Sequence, residues 1–325
     1  MKPKVFVTRK IPQPGLDLLE KEFDVEINPH DRVLTKDEIL DGVKGKDALL
    51  CLLTDEIDEE VMDSEKNIKI ISNYAVGFNN IDVNAATKRK IPVTNTPGVL
   101  TDTTADLAFT LMTAVARRIS EADRFVRAGK FKGWAPMLLL GEDIYKRTLG
   151  IIGFGRIGQA VAKRGAKGFD MKVIYYDALG RNKEAEEELD AEFVELDELL
   201  QRSDFVSVHV PLMKETTHLI GEKELRLMKK TAYIINTSRG PVVDEQALVK
   251  SLQEGWIHGA GLDVFENEPE IEPGLLELDN AVLLPHIGSA STEARTKMAT
   301  MAAQAVVDIM NNKIPENIVN KEVLS

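Results

Sequence analysis

The strongest constraint on this chain is the alternation of short, unbroken apolar runs with segments of helical pattern. The runs are VFVT (5–8), ALLCLL (48–53), KIISNYA (69–75), IPVTN (91–95), TLGIIG (148–153), KVIYYD (172–177), FVSVHV (205–210), AYIIN (232–236) and AVLLP (281–285). Continuous rather than alternating hydrophobicity suits parallel strands buried on both faces. The spacers are long enough for crossover helices, so the predicted class is α/β with right-handed βαβ units. Two longer helical patterns, 103–128 and 292–312, flank the central array. That arrangement predicts a central domain over 101–288 and a second domain assembled from both chain ends, 1–100 and 289–325. Residues 129–141, GKFKGWAPMLLLG, read as an irregular loop, and KEAEEELDAE (183–192) as a solvated helix face.

Composition narrows the function. At 325 residues two domains are the default. No apolar run approaches the roughly 20 residues of a membrane span, and the N-terminus, MKPKVFVTRKIPQPG, lacks the form of a signal peptide. The single cysteine, Cys51, excludes an internal disulfide and fits a reducing cytoplasm; within ALLCLL it reads as a buried, inert thiol. A net charge of -12 argues against a nucleic-acid partner. An anionic substrate would need local positive charge. No metal site is expected.

Gly153-Phe-Gly155-Arg-Ile-Gly158 matches GxGxxG between a strand-like run and a helical one, the context a dinucleotide loop requires. One glycine makes the turn, one admits the pyrophosphate and one packs helix against strand. The helix N-terminus adds free N–H groups and a positive dipole end. Asp177, at the end of the next run, is placed to accept from an adenosine ribose and to repel a 2′-phosphate, which favours NAD over NADP. Arg181, close by, could offset that repulsion.

Ligands of open parallel sheets bind beyond the carboxyl ends of strands. Several polar residues fall there: Asp177, His209, Asn236-Thr237-Ser238-Arg239, Asp263 and His286. Arg239 can pair bidentately with a carboxylate. The unperturbed pKa of histidine, about 6.5, suits His286 to proton transfer near neutrality, with a neighbouring carboxylate to orient it. His209 reads as a cofactor contact; His30, His218 and His258 read as ordinary. Five acids compete to partner His286 in DVFENEPEIE: Asp263, Glu266, Glu268, Glu270 and Glu272. Spacing alone does not choose among them.

With these residues in view, the chain resembles the D-isomer-specific 2-hydroxyacid dehydrogenase family along essentially its whole length. The matching stretches are NYAVGFNNID (73–82), TNTPGVLTDTTAD (94–106), GFGRIG (153–158), NTSRGPVVDEQAL (236–248), GAGLDVFENEP (259–269) and LLPHIGSAS (283–291). The resemblance implies two doubly wound parallel-sheet domains: a central Rossmann nucleotide domain and a flavodoxin-like substrate domain split between the chain ends. It also implies a homodimer formed through the central domain.

For the site, the resemblance implies Arg239, Glu268 and His286 as the catalytic set, with Glu268 the partner of His286 and Arg239 holding the substrate. Thr54 and the backbone of Val76 and Gly77 would meet the substrate. Thr104, Gly153, Gly155, Arg156, Ile157, Gly158, Asp177, His209, Pro211, Thr237, Asp263 and Gly288 would meet the cofactor, Asp263 at its nicotinamide end. Hydride would pass from NADH to a small 2-oxoacid while His286 protonates the alkoxide. The chain is most similar to the glyoxylate/hydroxypyruvate reductase branch. D-3-phosphoglycerate or D-lactate dehydrogenases, or a non-enzymatic NAD(H)-sensing protein, are the alternatives. Formate dehydrogenases of the superfamily carry glutamine where Glu268 stands, and the glutamate argues against formate.

Overall fold

The structure, a computed structural model, describes residues 2–324. Contacts divide the chain into two units. One takes in both chain ends, up to Leu100 and from Ser289 onward; the other is Thr101–Gly288.

The first unit holds five parallel strands, β1 (Lys4–Val7), β2 (Asp24–Ile27), β3 (Ala48–Leu52), β4 (Ile71–Tyr74) and β5 (Val93–Thr94), in the order β2-β1-β3-β4-β5. Every residue of β4 is buried. The helix Thr292–Met310 covers this sheet: Ser72 Oγ donates to Ala302 O at 2.9 Å, and Tyr74 Oη to Arg295 O at 2.9 Å. It also packs on the helix Gln13–Glu22, where a Cβ on Gly15 would lie 2.7 Å from Ala299 O. Beyond it, Asn320 accepts from Val93 N at 2.8 Å and donates to Ile91 O at 2.9 Å.

The second unit is a seven-stranded parallel sheet of β6 (Thr148–Ile152), β7 (Lys172–Tyr176), β8 (Ala191–Phe193), β9 (Phe205–Val208), β10 (Tyr233–Asn236), β11 (Gly259–Leu262) and β12 (Ala281–Leu283). Its order, β12-β11-β10-β9-β6-β7-β8, is that of a doubly wound nucleotide-binding fold with one strand added at the edge. Alternate residues serve opposite faces. Leu149, Ile151, Val173, Tyr175 and Ile235 pack in one core; Ile152, Ile174, Val206, Val208 and Ile234 pack in the other. Burial on both faces is why these runs read as unbroken hydrophobicity. Each such side chain contributes roughly 1.5–3 kcal/mol.

Two sequence expectations need correction, and one strand was not anticipated. Residues 103–128 are not one helix but two, Thr101–Ala116 and Ile119–Arg127, separated by Arg118 in the left-handed region (φ 54°). The first buries Ala105, Ala108, Leu111 and Met112, whereas the second buries nothing. Its apolar residues continue the spacing without facing that core. The solvated helix of 183–192 stops at Leu189, and Ala191–Phe193 forms β8 against β7. The edge strand β2, half-exposed and charged, carries no continuous apolar run and so leaves no mark in the sequence pattern.

Candidate active site

The glycine loop follows β6 directly. Gly153 has φ 90°, and a Cβ there would stand 2.7 Å from His209 O, so both conformation and space demand glycine. A Cβ on Gly158 would lie 2.1 Å from Gly153 O, which seats the helix Arg156–Phe169 on the loop. Gly155, that helix's N-cap, is different: nothing lies within 4 Å of a Cβ built there. Space opens in front of a helix N-terminus, the arrangement that receives a phosphate. Asp177 braces the loop, accepting from Phe154 N at 2.8 Å and Leu179 N at 2.9 Å. Arg181 is turned away and paired with Glu186 at 2.7 Å.

At the end of β9, His209 Nε2 lies 2.8 Å from Ser207 Oγ, and burial of the ring pushes its pKa down to about 3, so the imidazole is neutral. Pro211 stands exposed two residues on. After β10, Thr237 is buried and its hydroxyl has no hydrogen-bond partner among the described residues. Such an orphan is rare unless a ligand supplies the partner. With the open space at Gly155, it fits a dinucleotide lying along this edge.

Asn236 shapes the next turn, accepting from Ser238 N and Oγ and donating to Arg239 O at 2.9 Å. Gly240 lets this turn press on the chain after β11: a Cβ there would lie 1.9 Å from the carbonyl carbon and oxygen of Phe265. Arg239 Nη1 donates to Ser238 O at 2.7 Å. Burial pulls its pKa below the usual arginine value, and the nearby Glu268 charge opposes that.

Asp263 follows β11 and is fully buried, and its two carboxylate oxygens accept from Ile287 N and Gly288 N, both at 2.7 Å. His286 N donates to Asp263 O at 2.9 Å. These bonds hold His286 at φ 53°, a left-handed conformation that is costly for a side-chain-bearing residue. Thr104 Oγ1 secures the same loop by donating to Gly288 O at 3.0 Å. Burial raises the Asp263 carboxyl pKa, with the loop amides and His286 acting against it.

His286 Nδ1 then meets Glu268 Oε2 at 2.8 Å, while Phe265 N donates to Glu268 Oε1 at 3.1 Å. Burial pushes the Glu268 carboxyl up, but the His286 hydrogen bond and charge, the Phe265 amide and Arg239 outweigh it, so its pKa is lowered overall. With Nδ1 engaged, Nε2 of His286 is left for a reacting group. The pair can orient and deliver a proton beside a cation suited to a carboxylate.

In the first unit, Thr54 is exposed just past β3, and Val76 and Gly77 follow β4. The carbonyls of Val76 and Gly77 accept from Asn95 Nδ2 (2.7 Å) and Asn73 Nδ2 (2.9 Å), and the first of these bonds fixes the peptide plane that carries the Gly77 N–H.

The family described as "D-isomer specific 2-hydroxyacid dehydrogenase, NAD binding domain" matches residues 109–288. The glyoxylate reductase of Thermococcus litoralis is 56% identical over 329 residues, covering 100% of this chain and 99% of its own. The chain belongs to the D-isomer-specific 2-hydroxyacid dehydrogenase family. Among solved structures of similar proteins, the TT0316 protein of Thermus thermophilus has 44% identity and a TM-score of 0.92, covering 97% of this chain and 99% of that one. An NADPH-dependent glyoxylate/hydroxypyruvate reductase from Sinorhizobium meliloti, solved with NADP and malonate, has 30% identity and a TM-score of 0.86, with coverage of 99% and 98%.

Within this dehydrogenase fold, some contributors escaped sequence reasoning. Glu266 Oε1 accepts from Glu245 N (2.9 Å) and stands 3.0 Å from His218 Nε2, while Glu245 Oε1 accepts from Glu266 N (2.7 Å). His218, expected to be ordinary, therefore helps anchor the segment that carries Glu268. Asn73 and Asn80 do similar work in the first unit: Asn73 Nδ2 donates to Asn80 Oδ1, and Asn80 Nδ2 to Leu52 O and Asp55 O. The only advance signal was that both asparagines lie inside the matched stretch NYAVGFNNID. Glu270 is exposed as expected; Glu272 is half-buried before the short helix Pro273–Leu276.

Proposed function

We propose that this protein reduces glyoxylate, and related small 2-oxoacids such as hydroxypyruvate, to the 2-hydroxyacid with NADH. The observation that carries the reading is the His286–Glu268 contact at 2.8 Å, with the half-buried cation of Arg239 close enough for its charge to act on Glu268. The identity to glyoxylate reductases supports the substrate.

A bound nicotinamide cofactor supplies hydride to the 2-oxo carbon. Arg239 binds the carboxylate and carbonyl oxygen and offsets charge as it develops there. His286 donates a proton from Nε2 to that oxygen, and Glu268 stabilises the ring's orientation and charge from the Nδ1 side. The Val76 and Gly77 amides are the second hold on the carboxylate, and Thr54 borders the substrate. The glycine loop with Arg156 and Ile157, and the strand-end residues His209, Pro211, Thr237 and Gly288, cradle the cofactor. Asp263 acts there chiefly by fixing the His286 loop.

NAD rather than NADP follows from Asp177. What supports it is a carboxylate just after β7, which would repel a 2′-phosphate, together with an Arg181 engaged by Glu186. A homodimer is part of the same reading: Ile119, Val126, Phe131, Trp134, Met137 and Leu140 leave large apolar side chains exposed on one continuous stretch, a pattern that marks interfaces. A cytoplasmic location accords with the lone, buried Cys51. Among the described residues no helix is long and apolar enough to cross a membrane.

The test is NADH consumption with glyoxylate, hydroxypyruvate, pyruvate and 3-phosphohydroxypyruvate at matched concentrations, repeated with NADPH. Glyoxylate or hydroxypyruvate should lead, with NADH the better donor. Turnover of none of the four would sink the reductase reading; a large advantage for NADPH would sink the cofactor assignment alone.

A further inference from the structure

In the five-stranded sheet the winding reverses between the neighbours β1 and β3. Parallel sheets take ligands outside the strand ends at such a switch point. A cavity of about 580 Å³ lies there, lined by Arg9 and Lys10 past β1, Leu52 at the end of β3, Tyr74 at the end of β4, Asp31, and Arg295.

The charges around this cavity do not balance. Arg9 is paired with Asp31, Nε to Oδ1 at 2.6 Å. Asp55, behind Arg9, is buried and accepts from Thr8 Oγ1 and Leu52 N. Lys10 is exposed and has no ion pair among the described residues. Arg295 Nε is buried without a hydrogen-bond partner. Arg295 also sits in the first turn of the helix Thr292–Met310, the end where the helix dipole disfavours a cation. Glu293, in the same turn, is exposed and does not line the cavity. Tyr74 fixes that helix end through its bond to Arg295 O. The Arg295 guanidinium, beside the Tyr74 hydroxyl at the positive end of a helix and lining a cavity with two other cations, forms no ion pair with a carboxylate among the described residues.

We propose that this cavity is an anion site for a carboxylate or phosphate group, held by Arg295 and Lys10, with Arg9 partly neutralised by Asp31. The group is that of a free oxyanion, such as inorganic phosphate or a small carboxylate, held within the first unit alone. The site stands without the reductase reading.

The test is calorimetric titration of the intact protein with inorganic phosphate against matched chloride, with neither cofactor nor 2-oxoacid present. A saturable site is expected that Arg295→Gln weakens roughly tenfold, the scale of losing one charge-assisted contact. Lys10→Gln, at an exposed position that leaves the fold alone, should weaken it too, and Asp31→Asn should tighten it by releasing Arg9. Phosphate at the glycine loop would be indifferent to all three changes. The proposal is overturned if the wild type shows no saturable binding, or if the Arg295 and Lys10 variants bind as the wild type does.

Discussion

One substitution, glycine to alanine, should separate two kinds of glycine at this sheet edge. At Gly240 the new Cβ would stand 1.9 Å from the Phe265 carbonyl, against 3.4 Å or more for an ordinary contact. Packed backbone does not compress, so the Arg239 turn and the segment leading to Glu268 must part by about 1.5 Å. Overpacking of this kind costs about 1–3 kcal/mol, or roughly 2–12 °C in Tm for a domain of this size. Misplacing catalytic groups by an ångström costs about a hundredfold in rate. At Gly155 the Cβ meets nothing within 4 Å and φ is −75°, which alanine adopts freely. Stability there should change by no more than about 1 kcal/mol, the scale of an altered N-cap, while the methyl group fills the space that a pyrophosphate needs. The assays are thermal unfolding, NADH binding by fluorescence and kcat/KM with glyoxylate. Gly240→Ala should unfold earlier and turn over poorly yet bind NADH; Gly155→Ala should unfold normally and bind NADH at least tenfold more weakly, the pyrophosphate approach being blocked. Wild-type Tm and turnover in Gly240→Ala would refute the packing argument, and normal NADH binding in Gly155→Ala would refute the cofactor placement.

His286→Ala should lower kcat by about a hundredfold or more while NADH binding persists, the usual scale for a lost general acid; stopped-flow turnover and fluorescence titration read the two separately. Asp263→Asn sets an amide N–H₂ against one of the Ile287 and Gly288 donors, and leaving that buried donor unsatisfied should cost about 1–3 kcal/mol, seen as a lower Tm. Glu268 titrates below its ordinary range in the folded state, so its stabilising contribution is present above the unfolded carboxyl pKa and is lost as pH falls through the folded one. Glu268→Gln should therefore flatten the loss of Tm between neutral and acid pH; an unchanged slope would mean the pair does not stabilise the fold.

Much of the architecture was legible because parallel strands buried on both faces leave unbroken apolar runs, as in β6, β9 and β10. The break at Arg118 was not, because a left-handed residue between two helices leaves the apolar spacing intact. Nor was β8, three residues whose strand character comes from pairing with β7. At the candidate site the glycine loop announced itself by local pattern. Glu268 did not: only the motif match distinguished it from four neighbouring acids, and its contact with His286 spans 18 positions. The inward turn of Asp263 and the His218–Glu266 contact depend on partners distant in sequence, which no local reading could supply.

The discontinuity of the first unit has a consequence for how the chain is made. Strands β1 to β5 leave the ribosome early, but the helix that covers β4 and the asparagine that closes the edge of β5 arrive only after the whole second unit. Domains fold as units while synthesis proceeds. Thr101–Gly288 can complete its core during translation, whereas the sheet begun first waits, covered on that side only by the helix Gln13–Glu22, until the helix Thr292–Met310 emerges. The newborn protein is therefore most vulnerable to aggregation through its oldest segment, and a chaperone acting on it would find its target there.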